Sequence, residues 1–101
     1  MTSETQDISV AKQPERNRYE LNSAGKLAGF LTYRSGEEGS LDLVHTEVLP
    51  EYEGKGLAAQ LVRGALDDVR ASGQTVVPSC SYVATFVQRH PQYQDLVAAK
   101  A

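Results

Sequence analysis

The residues best suited to chemistry fall in three places. The first is Glu53-Gly54-Lys55-Gly56-Leu57-Ala58, a glycine-bearing turn that runs into a strongly patterned helix. Glycine lets the backbone approach a ligand closely, and the unpaired N–H groups opening a helix carry the positive end of its dipole. Such a turn is an anion site suited to a pyrophosphate; the plainer alternative is a turn whose glycines only relieve steric strain. The second place is Cys80, the chain's one cysteine, just before a helical pattern that begins near Ser81 or Tyr82. A helix N-terminus favours a thiolate, so Cys80 is a candidate nucleophile or acid, or else a small core hydrophobe. The third is His45 with Glu47, two residues apart on one strand face and so about 6.5–7 Å apart along it. Imidazole takes a proton at neutral pH; the alternative is a polar pair at the sheet's edge. Because they lie among Leu41, Leu43 and Leu49, both side chains are expected to be buried or to line a cleft. Tyr82 is open between core filling and chemistry, Tyr93 reads as core, and His90 reads as a helix C-cap.

The elements that must position these residues follow from hydrophobic period. Residues 1–15 carry Thr, Ser, Gln, Asp and Glu with only Ile8 and Val10 as sizeable apolar groups. They read as a flexible tail, with at most a short strand at Ile8–Val10, before a single domain over 16–101. From Arg18 the period is two: Tyr19 and Leu21, a turn at Asn22–Gly25, then Leu27 to Arg34, then about Leu41–Leu49. These are three strands of an antiparallel meander. Past Pro50 and the glycine turn, Leu57, Ala58, Leu61, Val62, Ala65, Leu66 and Val69 form one helical stripe that Gly73 ends. Thr75–Val77 is a buried strand parallel to the third, reached by a right-handed crossover. Tyr82, Val83, Phe86 and Val87 recur at helical spacing, and Pro91 opens a last helical segment burying Tyr93, Leu96 and Val97. The order predicts an α+β domain with helices packed on a sheet.

Composition narrows the function. The chain has 101 residues, 41% hydrophobic and 23% charged, which is one domain. A net charge of −3 gives no broad cationic face, so nucleic acid is not an expected partner. One cysteine excludes an intramolecular disulfide and a thiolate metal cage, and suits a reducing compartment. No apolar run nears the roughly 20 residues that cross a bilayer, and Met1–Gln13 resembles no signal peptide, so the expected address is the cytoplasm. No metal is expected. No G-x-x-x-x-G-K-[ST] loop is present. Gly54, Gly56 and Ala59 fit a loose dinucleotide fingerprint, yet Val76-Val-Pro-Ser79 offers no acidic residue for a ribose.

Val48-Leu-Pro-Glu-Tyr-Glu-Gly-Lys-Gly-Leu-Ala58 and the helix to Arg70 resemble the GNAT superfamily of acyl-CoA-dependent N-acetyltransferases. His45–Val48, Pro78–Cys80, His90-Pro-x-Tyr93 and Asp95–Val97 extend the resemblance to a small single-domain branch, over about Tyr19 to Val97. The resemblance implies a GNAT-like fold and acetyl-CoA as co-substrate, with Val48, Glu53, Gly54, Lys55, Gly56, Leu57 and Ala58 around its pyrophosphate and pantetheine. It implies that the thioester sits where the third and fourth strands splay, near His45, Thr46, Glu47, Val48 and Cys80. The acceptor is then an amine or a protein lysine. Three departures stand out. Glu53 occupies a place usually held by Arg or Gln, which Lys55 partly offsets. Ser81 and Gln88 fall where Asn and a Tyr acid are usual, so Cys80 or Tyr82 would have to replace that acid. Only Asn22–Lys26 joins the first two strands, where the family inserts acceptor-wall helices. The acceptor side is therefore open, favouring a bulky or protein acceptor, or is closed by a second subunit, so monomer and homodimer both stay open. The rival expectations are a CoA-binding module without turnover and a protein-interaction domain keeping only the fold.

Overall fold

The computed structural model describes residues 7–98. Five strands form one sheet in the order β1 (Ile8–Gln13), β2 (Arg18–Ser23), β3 (Lys26–Ser35), β4 (Ser40–Val48), β5 (Thr75–Val77). The first four are antiparallel neighbours and β5 runs parallel to β4. Helix α1 (Leu57–Ala71) supplies the crossover and α2 (Ser81–Arg89) follows β5. The α+β GNAT fold expected from the sequence is the fold observed.

The tail expected through Glu15 needs correcting. Ile8–Gln13 is a full strand paired with β2 from Ile8↔Ser23 to Gln13↔Arg18. Ile8 and Val10 pack against the core, and Lys12 Nζ lies 5.4 Å over the Tyr33 ring. Residues 1–6 of that expected tail lie outside the described residues. The meander therefore has four strands. The link between its first two is a single 3-10 turn, Pro14–Arg16, capped by left-handed Asn17, and not Asn22–Lys26, which closes the β2–β3 hairpin. The segment after Pro91 is likewise a 3-10 helix, Pro91–Leu96, burying Tyr93 and Leu96 and leaving Val97 half-buried.

One face of the sheet carries the core. Tyr19, Leu21, Leu31, Tyr33, Leu41, Leu43 and Val76 meet the predicted α1 stripe and Val83, Phe86 and Val87 of α2. In the stripe only Ala58 departs, being half-buried. The far end of α1 is pinned by charge-assisted bonds. Tyr19 Oη donates to Asp68 and Tyr93 Oη to Asp67, each at 2.8 Å, while Arg70 grips Asp95 at 3.0 Å. Burial, reinforced by the Asp68 carboxylate, holds the Tyr19 phenol protonated far above its ordinary range. Anchoring that end fixes the helix axis and so the direction in which its first amides point. The other face of the sheet, bearing Arg18, Glu20, Phe30, Thr32 and Arg34, has no helix over it among the described residues. It is knitted by Arg18–Glu20 (2.8 Å) and Arg34–Asp42 (3.0 Å) and by the Arg18 guanidinium 4.5 Å over the Phe30 ring.

Candidate active site

The site begins where β4 and β5 part. Their pairing covers only Ser40↔Thr75 to Asp42↔Val77; Cys80 N–H then donates to Leu43 O at 2.8 Å. Beyond that bond β4 continues to Val48 with its edge free of β5. Pro78 ends β5 because it has no amide to donate, and the chain turns away into α2.

A bulge decides what each face of β4 presents. Tyr33 pairs with Leu43 but Thr32 pairs with His45, so Val44 is an extra residue with no partner on β3. Parity inverts there. Thr46, half-buried, takes up the helix side after Leu43, with Val48 following it, whereas His45 and Glu47 turn to the open face. Their side chains are 58% and 49% exposed. The expectation that His45 and Glu47 share a buried or cleft-lining face with Leu41 and Leu43 is therefore corrected. They do meet one another, Nε2 to Oε1 at 3.2 Å, with Val44 exposed beside them.

On the helix side, Thr46 Oγ1 lies 3.5 Å from Cys80 Sγ. Cys80 is the N-cap of α2, buried, with extended backbone angles. Burial opposes ionisation of its thiol, but the Thr46 hydroxyl and the amides of Val83, Tyr82 and Thr46 outweigh it, holding the thiol below its ordinary value. Composition and periodicity gave no signal for this Thr46 contact, because it exists only after the bulge.

The glycine turn completes the site. A 3-10 turn over Pro50–Tyr52 leads into Gly54 (φ 82°) and Gly56 (φ 73°), both left-handed, with Lys55 between them. Tight turns of this kind gather successive amides into an anion-binding concavity. Gly56 is the N-cap of α1 and no side chain caps that end, so the amides of Leu57, Ala58 and Ala59 have no intrahelical partner. A hollow of about 180 Å3 opens here, lined by Val48, Tyr52, Glu53, Gly54, Gly56, Leu57, Ala58, Ala59 and Tyr82. Of the residues expected around a pyrophosphate, all but Lys55 line it; Lys55 stands on the same turn, exposed. Tyr82, 41% exposed, walls it from α2. Tyr52 and Ala59 are lining residues that sequence reasoning missed, although the Pro50-Glu-Tyr52 turn signal lay beside the motif. Cys80 lies outside this lining, at the foot of α2, and His45 and Glu47 lie across β4.

A β–α–β unit whose parallel strands part beside an uncapped, glycine-built helix start is the arrangement that the GNAT resemblance implies. The profile of the GCN5-related N-acetyl-transferase family matches residues 18–96, and the chain belongs to that family. Curated relatives include Protein NATD1 of Danio rerio, 30% identical over 98 residues spanning 90% of this chain and 89% of that protein. Protein NATD1 of Mus musculus is 38% identical over 90 residues, 88% of this chain and 82% of the relative. Among solved structures, a GCN5-like protein from Staphylococcus aureus superposes with TM-score 0.69 at 18% identity, covering 95% of this chain and 93% of that one. A GNAT family acetyltransferase from Brucella melitensis in complex with acetyl-CoA superposes with TM-score 0.54 at 22% identity, over 68% of this chain and 50% of that one.

Proposed function

We propose that this protein is an acetyl-CoA-dependent N-acetyltransferase acting on an amine or a protein lysine. The observation that carries the reading is the uncapped amide turn at Gly54–Ala58 beside a hollow that leads to the free edge of β4. A diphosphate satisfies the orphan amides of Leu57, Ala58 and Ala59, and the helix dipole adds to the attraction. Glu53 opposes it from the rim; being exposed, it turns to solvent at small cost. Acetyl-CoA supplies the acetyl thioester. The chain's own residues do the rest. The edge of β4 that β5 leaves free, between Val44 and Val48, offers backbone donors to an oxygen on which charge develops. Cys80, its thiol polarised by Thr46 and the α2 amides, gives a proton to a departing sulfur. On the open face, His45 supported by Glu47 takes a proton from an incoming ammonium. Among the described residues no helix covers that face, which suits an acceptor carried on a protein surface.

A second reading, CoA binding without turnover, is favoured by one observation: the exposed His45–Glu47 pair and Cys80 stand on opposite faces of β4. Release of free CoA from acetyl-CoA with polylysine as acceptor separates the two. We expect Cys80→Ala to lower the rate while leaving CoA affinity unchanged, and an unchanged rate removes Cys80 from the mechanism. Absence of CoA release by the unaltered protein, with acetyl-CoA bound, establishes the second reading.

A further inference from the structure

The open sheet face does not end at His45. A broad hollow of about 670 Å3 lies further along it, toward the β3–β4 hairpin, with Glu37, Glu38, Ser40, Asp42, Thr75 and Val77 in its walls. Asp42 pairs with Arg34 of β3 and with Val77 of β5, and Ser40 pairs with Thr75. Register gives the distances. His45 and Asp42 pair with Thr32 and Arg34, two residues apart on β3, so they stand about 6.5–7 Å apart along the strand. Ser40, two residues before Asp42, lies about as far again. The hollow therefore begins beside the His45–Glu47 dyad and runs away from it for a few residues of extended chain.

Its chemistry is one-sided. Among the described residues three carboxylates line it, and no Lys, Arg or His does. Arg34 answers Asp42 at 3.0 Å. Glu37 and Glu38 are exposed, and neither enters an ion pair among the described residues. The turn that carries them is held in place. Gly36 N–H donates to Ser40 O at 2.8 Å, and Ser40 donates twice to Glu37 O, from its amide at 3.1 Å and its hydroxyl at 2.8 Å. Two negative charges thus rim a patch that also offers apolar surface, for Val77 beside Asp42 is 38% exposed.

A cationic side chain fits that combination, its methylene stem on the valine and its charge at the rim. A second copy of this face does not supply one. Arg16, Arg18 and Arg34 are already bonded to Glu20 or Asp42, and the chain carries a net charge of −3. We infer that the hollow docks a basic stretch of the protein that carries the acceptor lysine. A Lys or Arg about three residues from the acceptor sits over Glu37 and Glu38 while the acceptor amine is at His45. This rests on the reading that His45 and Glu47 receive the acceptor. An extended segment advances about 3.3 Å per residue, so that neighbour lies about 10 Å from the acceptor, within the span from Asp42 to Ser40. The two glutamates touch no reacting atom; they choose among acceptors.

The test is steady-state release of CoA from acetyl-CoA with synthetic peptides that carry one lysine and blocked ends. Arginine stands three residues before the lysine, three residues after it, or at neither place, with glutamine as filler. One arginine placement should raise kcat/KM about fivefold over the glutamine peptide, through KM, the size of a good exposed ion pair. The gain should fade in about 1 M salt. Glu37→Gln together with Glu38→Gln should bring that peptide down to the glutamine peptide's value, with melting curves confirming that the altered protein folds. Equal kcat/KM for all three peptides in the unaltered protein overturns the inference and leaves acetyl transfer standing. A gain that survives the double substitution, or a loss shared equally by all three peptides, also overturns it. If no peptide yields free CoA, the transferase reading falls and takes this inference with it.

Discussion

Gly56 and Gly25 form a natural pair for testing the anion turn. Both are left-handed, at φ 73° and 82°, and a Cβ built on either meets no atom within 4 Å. One caps α1 at the candidate site; the other closes the β2–β3 hairpin. Gly56→Ala and Gly25→Ala therefore impose the same backbone strain and no steric clash within the protein. That strain costs about 1 kcal/mol, or about 4–8 °C in melting temperature for a domain this size. Only at Gly56 does the new methyl enter the space a diphosphate needs. Displacing amide–phosphate bonds by about 2 kcal/mol weakens acetyl-CoA about 30-fold. At 100 times the wild-type Kd, the ligand stabilises the wild type and Gly25→Ala by about 2.7 kcal/mol. The same concentration stabilises Gly56→Ala by only about 0.9 kcal/mol. Melting curves with and without acetyl-CoA read all three proteins directly. A ligand-induced shift in Gly56→Ala as large as in Gly25→Ala would refute the assignment, leaving the turn a purely structural device.

The lowered pKa of Cys80 makes a second prediction. Thiolate absorbance near 240 nm, taken as the difference from Cys80→Ser, should rise with a midpoint below that of the same cysteine in the unfolded chain, and Thr46→Val should move that midpoint up; a midpoint unmoved by the loss of the hydroxyl removes Thr46 from the account. The sign for stability follows. The folded state favours the ionised form, so the stabilisation is fully present above the unfolded thiol's pKa and is lost as pH falls through the lower folded value. At the β2–β3 hairpin, Ala24 is held at φ 51°, a conformation that Asn adopts more readily. Ala24→Asn creates the favoured Asn-Gly turn and should stabilise by about 0.5–1 kcal/mol in denaturant unfolding, with no change in ligand affinity.

What could be read from the sequence was periodic and local. The α1 stripe, the alternation of Tyr19, Leu21, Leu31 and Tyr33, and the glycine turn all state their structure within a few residues. What escaped depended on contacts made across the fold. Ile8 and Val10 look too sparse to hold a strand, yet Val10 seats on Gly64, where a Cβ would stand 2.8 Å from the valine's own. That slot belongs to α1, more than fifty residues away in the chain. The segment after Pro91 shows helical spacing but tightens into a 3-10 helix as Tyr93 reaches back to Asp67. At the site, the period-two reading of β4 was right up to Leu43 and inverted after it, because one unpaired residue shifts every later side chain to the other face.

That inversion has a functional consequence. Without a bulge at Val44, His45 and Glu47 would point at α1 and α2, where two ionisable groups would need partners or pay for desolvation. Thr46 would point away from Cys80 and leave its thiol without the hydroxyl contact. With the bulge, the polar dyad stands in solvent beside a sheet face that no described helix covers, and the thiol gains its hydrogen bonds on the helix side of β4. The free edge of β4 lies between them, open to both. On the proposed function, a groove on one side and an open face on the other would let a bound thioester meet an acceptor too large to enter any pocket. The lack of helices between β1 and β2 is thus no gap in the fold. On that reading a wall over Phe30, Thr32 and His45 would narrow the acceptor to a small amine, and the short Pro14–Asn17 link supplies none between β1 and β2.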